Sequence, residues 1–282
     1  MYKQHFGLRE LPFSITPDTS FFFACAAYQE ALNTLLIAAR NGEGFIKISG
    51  EVGTGKTLLC RKFLASLGSE FISAYIPNPY LEPRALLLAL AEELGVKPEQ
   101  NVEQHQLMKA LTRALLEYAR QNKRVLVCLD EAQAMPLETL EALRLLTNLE
   151  TEKRKLLQVV LFGQPELDAR LDQASVRQLK QRITFQYHLG VLTPDDTDFY
   201  VGHRLTVAGY SGGRLFTRAA VRKLYKASGG VPRLINIIAH KSLMAAFGEG
   251  APQVEKRHVS TATDDTPAAQ QGGWRLFGWM WS

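Results

Sequence analysis

The segment Gly50–Thr57 constrains the fold of this chain more than any other part of it. It matches the pattern G-x-x-x-x-G-K-[ST] of phosphate-binding loops. Phe45–Ser49 before it has the composition of a short buried strand, and Leu58–Leu64 after it has the pattern of an amphipathic helix. These flanks disfavour the alternative of a chance match in a loop. We predict a phosphate site built by the eight residues Gly50, Glu51, Val52, Gly53, Thr54, Gly55, Lys56 and Thr57.

The residue types in this segment suit a nucleotide bound with a metal ion. A glycine-rich turn between a strand and a helix aims backbone N–H groups and the positive helix end at phosphate oxygens. Lys56 is placed to reach the β- and γ-phosphates, and the Thr57 hydroxyl is a ligand for Mg²⁺. We therefore expect ATP and Mg²⁺ as the bound species.

Composition sets broad limits on the rest of the chain. Its 282 residues, 46% hydrophobic and 22% charged, suit one large core or one core with a small second domain. The net charge of +5 permits an anionic partner without requiring one. The sequence has no apolar run of about eighteen residues and no signal peptide, and we interpret its three cysteines as reduced thiols. These features predict a cytoplasmic protein.

Strand and helix patterns alternate along the first two thirds of the chain. This alternation predicts a parallel five-stranded sheet sandwiched by helices, an α/β fold. The helix after the third strand is predicted from Pro136 to about Thr151. Only helical patterns follow Thr193. We therefore predict an α/β nucleotide-binding domain over 1–192 and a small all-α lid domain over 193–260. A polar linker with a tryptophan-rich tail is predicted over 261–282. The five strand candidates are Phe45–Ser49, Phe71–Ile76, Val125–Leu129, Leu156–Phe162 and Thr184–Leu189.

Two acidic residues, Asp130 and Glu131, directly follow the apolar run Val125–Leu129. Open α/β sheets bind ligands at the carboxyl edge of their strands, where these side chains would lie. We predict that Asp130 holds Mg²⁺ and that Glu131 polarises the water that attacks the γ-phosphate. The alternative, a helix N-cap, is the better interpretation of such a pair when no phosphate loop is present.

Three further polar residues are candidates for the same site. Gln164 follows the fourth strand and could orient the attacking water, or it could satisfy a loop backbone group. Arg182 precedes the last strand and could act on the nucleotide of a neighbouring subunit, or it could belong to a solvated basic face. Arg233 opens a helix, where a cation opposes the helix dipole, so we expect it to meet phosphates; the alternative is an exposed arginine.

In this order the motifs resemble those of AAA+ ATPases: the P-loop, the Walker B acids Asp130 and Glu131, sensor 1 (Gln164), the arginine finger (Arg182) and sensor 2 (Arg233). Over about residues 1–247 the chain looks like the general secretion pathway protein A (ExeA-type) family. The motifs that carry this closer resemblance are Phe6-Gly7-Leu8, Pro12-Phe13, Pro17-Asp18, Gly44-Phe45, Leu129–Gln133, Gly163–Leu167 and Gln181-Arg182-Ile183.

The resemblance implies a P-loop NTPase (AAA+) fold with a helical lid, acting as an oligomeric, Mg²⁺-dependent ATPase. It implies envelope or pilus assembly proteins as partners, and the family includes the ATPase of MSHA type IV pilus biogenesis. Its members usually continue into a transmembrane helix and a peptidoglycan-binding domain that this sequence lacks, so we expect action from the cytoplasmic side. It also suggests Phe6, Pro12 and Phe13 for the adenine pocket, with core packing as the alternative.

All three tryptophans lie in the last nine residues, within Trp274–Ser282. Tryptophan favours membrane interfaces and protein hot spots, so this segment is a candidate docking peptide for a membrane surface or a partner. The alternatives are a tail that folds back on the core or a disordered end.

Two other functions compete with an assembly ATPase. A nucleic-acid-binding ATPase of the transposition-helper type is the less favoured one; its signal is the basic spacing of Arg218, Arg222 and Lys226, with Lys223 beside them, on one predicted helix. Such a stripe is more often a solvated face. The other is a nucleotide-gated scaffold with little turnover.

Overall fold

The structure, a computed structural model, describes residues 2–97, 103–150 and 154–269. The candidate docking peptide Trp274–Ser282 lies outside these residues. Within them we find no helix that combines the length and the apolar character needed to cross a membrane.

Five parallel strands form one sheet, as predicted, and the structure gives their order as β2-β3-β4-β1-β5. The strand that leads into the phosphate loop, β1, lies between β4 and β5. Strands β1 and β4 are buried along their whole length, including the polar side chains of Lys47, Ser49 and Gln158. The strands are β1 (Phe45–Ser49), β2 (Phe71–Ile76), β3 (Arg124–Leu129), β4 (Leu157–Gly163) and β5 (Ile183–His188).

Helices account for most of the remaining described residues. In chain order they are α1 (Tyr2–His5), α2 (Ala26–Asn41), α3 (Lys56–Ala65), α4 (Pro83–Glu93), α5 (Gln104–Arg120), α6 (Leu137–Leu146), α7 (Glu166–Leu171), α8 (Arg177–Lys180), α9 (Pro194–Val207), α10 (Arg218–Ser228), α11 (Pro232–Gly248) and α12 (Lys256–Asp264). Short 3-10 turns occupy Thr19–Phe21, Ala132–Ala134 and Ala174–Val176.

The chain divides into two compact units, which we call the α/β unit and the helical unit. The α/β unit contains Ala26–Val52 and Lys56–Leu189, with the sheet and helices α2 to α8. The helical unit contains the residues before Ala26, the loop residues Gly53–Gly55 and the chain from Gly190 onward. The N-terminal lead-in therefore groups with the helical unit and not with the sheet; the predicted domain limits at 192 and 260 stay a prediction.

Helix α6 is shorter than predicted. It ends at Leu146, where the Thr147 hydroxyl donates to the carbonyl of Arg144 at 2.9 Å. The chain then reverses direction, since Glu150 and Lys155 form an antiparallel bridge. Leu149 had extended the helical pattern, but it lies beyond the helix end, directly before the bridge at Glu150.

The core of the α/β unit packs one face of the sheet against helices. Val127 and Leu161 from the sheet belong to the same buried cluster as Leu86 of α4, Leu111 of α5 and Leu143 of α6. Burial of a leucine of this kind stabilises a fold by about 1.5–3 kcal/mol. This core holds the carboxyl edge of the sheet in a defined register.

The buried guanidinium of Arg204 on α9 fastens the lead-in within the helical unit. It donates to the carbonyls of Pro12 and Ser14 and lies 4.6 Å from the ring centre of Phe21. Phe13 is fully buried and meets the ring of Phe216 edge-on at 5.8 Å. The adenine-pocket candidates Phe6, Pro12 and Phe13 are thus all buried here, as the core-packing alternative expects.

The predicted linker is wrong in its first residues, because α12 runs to Asp264. Thr263 and Thr266 are buried, and their hydroxyls donate to the carbonyls of Val259 and Ala262, each at 2.7 Å. Local composition favours a linker there, but the residues up to Asp264 form a helix that packs against α10 and α11.

Two partly buried histidines make the helical unit sensitive to acid. Burial lowers the pKa of His240, which accepts a hydrogen bond from the Tyr2 hydroxyl at 2.8 Å, and burial also lowers the pKa of His203. Burial raises the pKa of Tyr2 to about 12, so its hydroxyl keeps its proton. The folded state therefore favours both imidazoles neutral.

We expect the chain to lose stability as pH falls below about 6.5. As pH falls, the two histidines bind protons in the unfolded state before they do so in the folded state, because folding lowers their pKa. Their contribution to stability is therefore complete above the usual histidine pKa and is lost as pH falls through the lower pKa values of the folded state. Thermal unfolding at pH 7.5 and 5.5 should show a lower midpoint at pH 5.5, by about 2–4 °C for each kcal/mol lost. The double substitution His203→Gln, His240→Gln should reduce that drop, whereas His105→Gln at an exposed site should not. An equal drop in all three proteins would contradict the assignment.

Candidate nucleotide-binding site

The phosphate loop connects β1, which ends at Ser49, to α3, which begins at Lys56. The backbone N–H of Gly50 donates to the carbonyl of Gly163 at the end of β4, at 3.2 Å. The strand, turn and helix predicted for this segment are therefore confirmed, and the loop lies at the carboxyl edge of the sheet.

Gly53 shows why the loop requires glycine. Its φ of 81° lies in the left-handed region, and a Cβ added there would approach the Cβ of Arg233 to 2.6 Å and a methyl of Val231 to 3.2 Å. The backbone N–H of Arg233 also donates to the Gly53 carbonyl at 3.2 Å. Within the helical unit, the first turn of α11 thus packs directly on this residue of the loop.

Lys56 is 5% exposed, and its amine is held by the loop itself. The Nζ donates to the carbonyl of Gly50 at 2.7 Å and to that of Glu51 at 3.0 Å. Burial lowers the pKa of Lys56, and the nearby carboxylates of Glu131 and Asp130 partly offset this. A buried cation held only by carbonyls is well suited to an anionic ligand.

Asp130 comes directly after β3 and is 2% exposed. Its Oδ2 accepts a hydrogen bond from the Thr57 hydroxyl at 2.6 Å and one from the Tyr75 hydroxyl at 3.3 Å. Its Oδ1 accepts from the backbone N–H of Glu131 at 3.0 Å. Burial raises the pKa of Asp130 although these hydrogen bonds lower it. The structure therefore brings Thr57 and Asp130 together, as the sequence predicted.

Glu131 has an unusual backbone conformation, with φ 55° and ψ 37°. A non-glycine residue in this left-handed region stores strain of about 1–3 kcal/mol and is a common mark of functional sites. It occupies the N-cap position of the turn Ala132–Ala134, but its side chain makes no cap hydrogen bond. The N-cap alternative is therefore not supported.

The side chain of Glu131 lies between two glutamines. Its Oε2 accepts from the Nε2 of Gln133 at 2.6 Å and from the Nε2 of Gln164 at 3.1 Å. The Oε1 of Gln133 in turn accepts from the backbone N–H of Gln164 at 3.0 Å. The three side chains form one hydrogen-bonded group on two neighbouring strand ends.

The two predicted arginines have different surroundings. Arg182 lies between α8 and β5, partly exposed, and its Nη1 donates to the carbonyl of Arg144 at 3.3 Å. Arg233 is exposed in the first turn of α11. Their actions on a nucleotide stay predictions.

Sequence reasoning assigned no role to Tyr75 or Gln133. Tyr75 lies on β2 and reaches Asp130 only because β2 and β3 are neighbours, with Tyr75 opposite Cys128. Gln133 falls within the motif Leu129–Gln133. Its position two residues after Glu131 was the feature of the sequence that could have identified it as a partner of that residue.

The part of the chain that contains these residues is similar to known proteins. Residues 39–171, which include the phosphate loop, Asp130, Glu131 and Gln164, match the family profile of the AAA domain. The chain is also similar to General secretion pathway protein A of Aeromonas hydrophila, with 43% identity over 276 residues, which is 98% of this chain and 50% of that protein. It spans about half the length of this curated relative.

Solved structures show the same fold at low sequence identity. Cdc6p from Pyrobaculum aerophilum is 19% identical with a TM-score of 0.69, over 90% of this chain and 70% of that one. The RuvB Holliday junction branch migration motor of Thermotoga maritima is 15% identical with a TM-score of 0.60, over 91% and 73% of the two chains. The fold is that of a P-loop NTPase of the AAA+ type, as predicted.

Proposed function

We propose that this chain, which carries an AAA domain related to General secretion pathway protein A, binds ATP with Mg²⁺ and hydrolyses it. One observation carries the proposal above all. The Thr57 hydroxyl donates to the Asp130 carboxylate at the edge of the sheet, and the carboxylates of Asp130 and Glu131 are both near enough to the Lys56 amine to raise its pKa against the effect of burial. A protein that only binds nucleotide has no need of the second carboxylate.

The residues at this edge suit Mg²⁺, which prefers oxygen ligands and keeps several waters. The Thr57 hydroxyl and the Asp130 carboxylate, 2.6 Å apart, would hold the ion together with the phosphates. When bound, Mg²⁺ neutralises charge on the β- and γ-phosphates. Lys56 binds the same phosphates, and the N–H groups of the loop orient them. Gln164 orients the water that attacks the γ-phosphate, and a carboxylate oxygen of Glu131 accepts a proton from that water.

A steady-state phosphate-release assay with Mg²⁺ and ATP tests this function. We expect turnover that disappears when EDTA replaces Mg²⁺. Tight ATP binding without phosphate release would favour the nucleotide-gated scaffold, and absence of ATP binding would contradict the proposal altogether.

We further propose that the active form is a homo-oligomer in which Arg182 acts on the nucleotide of a neighbouring subunit and Arg233 senses the γ-phosphate. The partly exposed position of Arg182 and the contact of the Arg233 backbone with Gly53 support these roles. A cation supplied in this way contributes about 10³–10⁵-fold to turnover in related chemistry.

Arg182→Ala should therefore lower turnover strongly without lowering ATP affinity, because the arginine acts on charge that develops in the transition state. Mixing Arg182→Ala chains with Lys56→Ala chains should restore part of the ATPase activity. In a mixed oligomer, the Arg182→Ala chain binds the nucleotide and the Lys56→Ala chain supplies the arginine. The control is Lys180→Ala, which removes a nearby cation on α8. Turnover that stays at the level of the separate variants in the mixture would contradict action between subunits.

For the biological role, we propose that the protein acts from the cytoplasmic side, at or near the inner membrane, in assembly of an envelope machine. The similarity to General secretion pathway protein A supports a secretion-related role. The resemblance to MshM, the ATPase of MSHA pilus biogenesis, suggests a type IV pilus as the machine. Deleting the gene and restoring it as wild type or as Glu131→Gln would test this, with pilus assembly and protein secretion as separate readouts.

A DNA-binding ATPase is the second candidate, favoured by one observation. Arg218, Arg222 and Lys226 are all exposed along one face of α10, four residues apart. If these three cations contact DNA phosphates, a plot of the logarithm of the DNA association constant against the logarithm of the salt concentration should have a slope of about −2.7. DNA affinity would then fall roughly 40-fold between 50 and 200 mM salt. Absence of DNA binding at 50 mM salt would remove this candidate.

A further inference from the structure

The hydroxyl of Tyr75 reaches the buried carboxylate of Asp130 from outside the phosphate loop and outside the Asp130-Glu131 motif. Tyr75 lies near the end of β2, at the edge of the sheet, directly opposite Cys128 of β3. Asp130 follows Cys128 by two residues. In this register Tyr75 lies two positions before the level of Asp130, and its hydroxyl reaches the carboxylate at 3.3 Å.

Tyr75 supplies one of three hydrogen bonds that together define the orientation of this carboxylate. Thr57 and Tyr75 both donate to Oδ2, at 2.6 and 3.3 Å, and the Glu131 N–H donates to Oδ1 at 3.0 Å. Asp130 is almost fully buried, so little water is available to replace a donor that is lost. The donors on Oδ2 come from α3 and β2, which are two separate elements of the α/β unit.

Tyr75 is itself held in place, and its hydroxyl is a donor. Its backbone N–H donates to the Glu93 carboxylate of α4 at 2.9 Å, which satisfies an N–H on the edge strand. The phenol hydroxyl carries the hydrogen and the ionised carboxylate only accepts, so the Tyr75 hydroxyl donates this hydrogen bond to Asp130.

We propose that Tyr75 is a positioning residue for the metal ion of this site. Its hydroxyl holds the Asp130 carboxylate in the orientation in which that carboxylate, together with Thr57, takes up Mg²⁺. Groups that orient a metal ligand through a hydrogen bond typically contribute 10- to 100-fold to metal affinity or activity. This inference rests on the proposed function, because it concerns the metal ion that accompanies ATP.

The test is the substitution Tyr75→Phe, which removes one hydroxyl and keeps the ring. Tyr118→Phe is the matched control, because the Tyr118 hydroxyl also makes a hydrogen bond, at 2.7 Å to the carbonyl of Leu94, in another part of the α/β unit. Mn²⁺ is titrated into each protein with a non-hydrolysable ATP analogue, and free Mn²⁺ is followed by electron paramagnetic resonance. Binding of the analogue is measured separately in EDTA.

We expect the Kd for Mn²⁺ to rise about 10-fold in Tyr75→Phe and to stay unchanged in Tyr118→Phe. Affinity for the analogue in EDTA should be the same in all three proteins, which separates loss of metal from loss of nucleotide. A Kd for Mn²⁺ within twofold of wild type in Tyr75→Phe would overturn the inference and leave the proposed function intact. Failure of the wild-type protein to bind Mn²⁺ with the analogue would overturn the proposed function itself, and this inference with it.

Discussion

Replacing Glu131 with glutamine is expected to slow ATP hydrolysis by about 10²–10⁴-fold while ATP binding is retained. The amide has nearly the same shape as the carboxylate but accepts no proton from the attacking water. The hydrogen bonds of the loop amine go to the carbonyls of Gly50 and Glu51, so the substitution at Glu131 leaves them in place and ATP binding should be retained. Single-turnover phosphate release and equilibrium binding of a fluorescent ATP analogue measure the two effects separately.

Glu138→Gln is the matched control for this substitution. Glu138 is an exposed acid in the first turn of α6, in the segment that follows Glu131, and its replacement should change neither quantity. If Glu131→Gln hydrolysed ATP within tenfold of the wild-type rate, Glu131 would not be the proton acceptor, and the group formed with Gln133 and Gln164 would need another explanation.

Replacing Lys56 with alanine is expected to weaken ATP binding by roughly 30- to 5,000-fold, which corresponds to the 2–5 kcal/mol lost when one partner of a buried charge pair is removed. The amine is buried against two loop carbonyls, and no other lysine or arginine lies within Gly50–Thr57. Isothermal titration calorimetry with Mg²⁺ and an ATP analogue measures the change.

Loss of binding in Lys56→Ala should not result from unfolding. Burial lowers the pKa of Lys56, so the charged amine costs the folded state free energy, and its removal offsets part of the loss of its two hydrogen bonds. A cooperative thermal transition of Lys56→Ala above the temperature of the binding assay would show that the variant is folded. Lys62→Ala, on the last turn of the same helix, is the control for binding. Tight ATP binding by Lys56→Ala would mean that the phosphates are held elsewhere.

The local parts of this site could be predicted because each depends on a short stretch of chain. Gly50–Thr57 contains the strand end, the turn and the helix start within a few residues, and Asp130 and Glu131 follow an apolar strand directly. The parallel sheet follows from the alternation of strands and helices. Prediction failed at the end of α6 and at the start of the supposed linker, where packing and a chain reversal override local composition.

The contacts that join distant segments could not be predicted in the same way. Tyr75 and Asp130 are 55 positions apart, and only the register of β2 against β3 brings them together. The hydrogen bonds from Gln164 to Glu131 and Gln133 depend on β3 and β4 being neighbours in the sheet. A side chain at Gly53 would collide with the start of α11, which packs against this glycine. The residues next to Gly53 in the sequence give no indication of that contact.

The sequence by itself thus determined the phosphate loop, the two acids and the α/β class, because glycine freedom, charge and hydrophobic periodicity act over a few residues. The tertiary structure alone decided which side chains orient those acids and which unit the N-terminal lead-in packs with. Strand order, register and burial are set by the whole core, since a hydrogen bond such as that from Tyr75 to Asp130 forms only when two separate elements are held at a fixed distance.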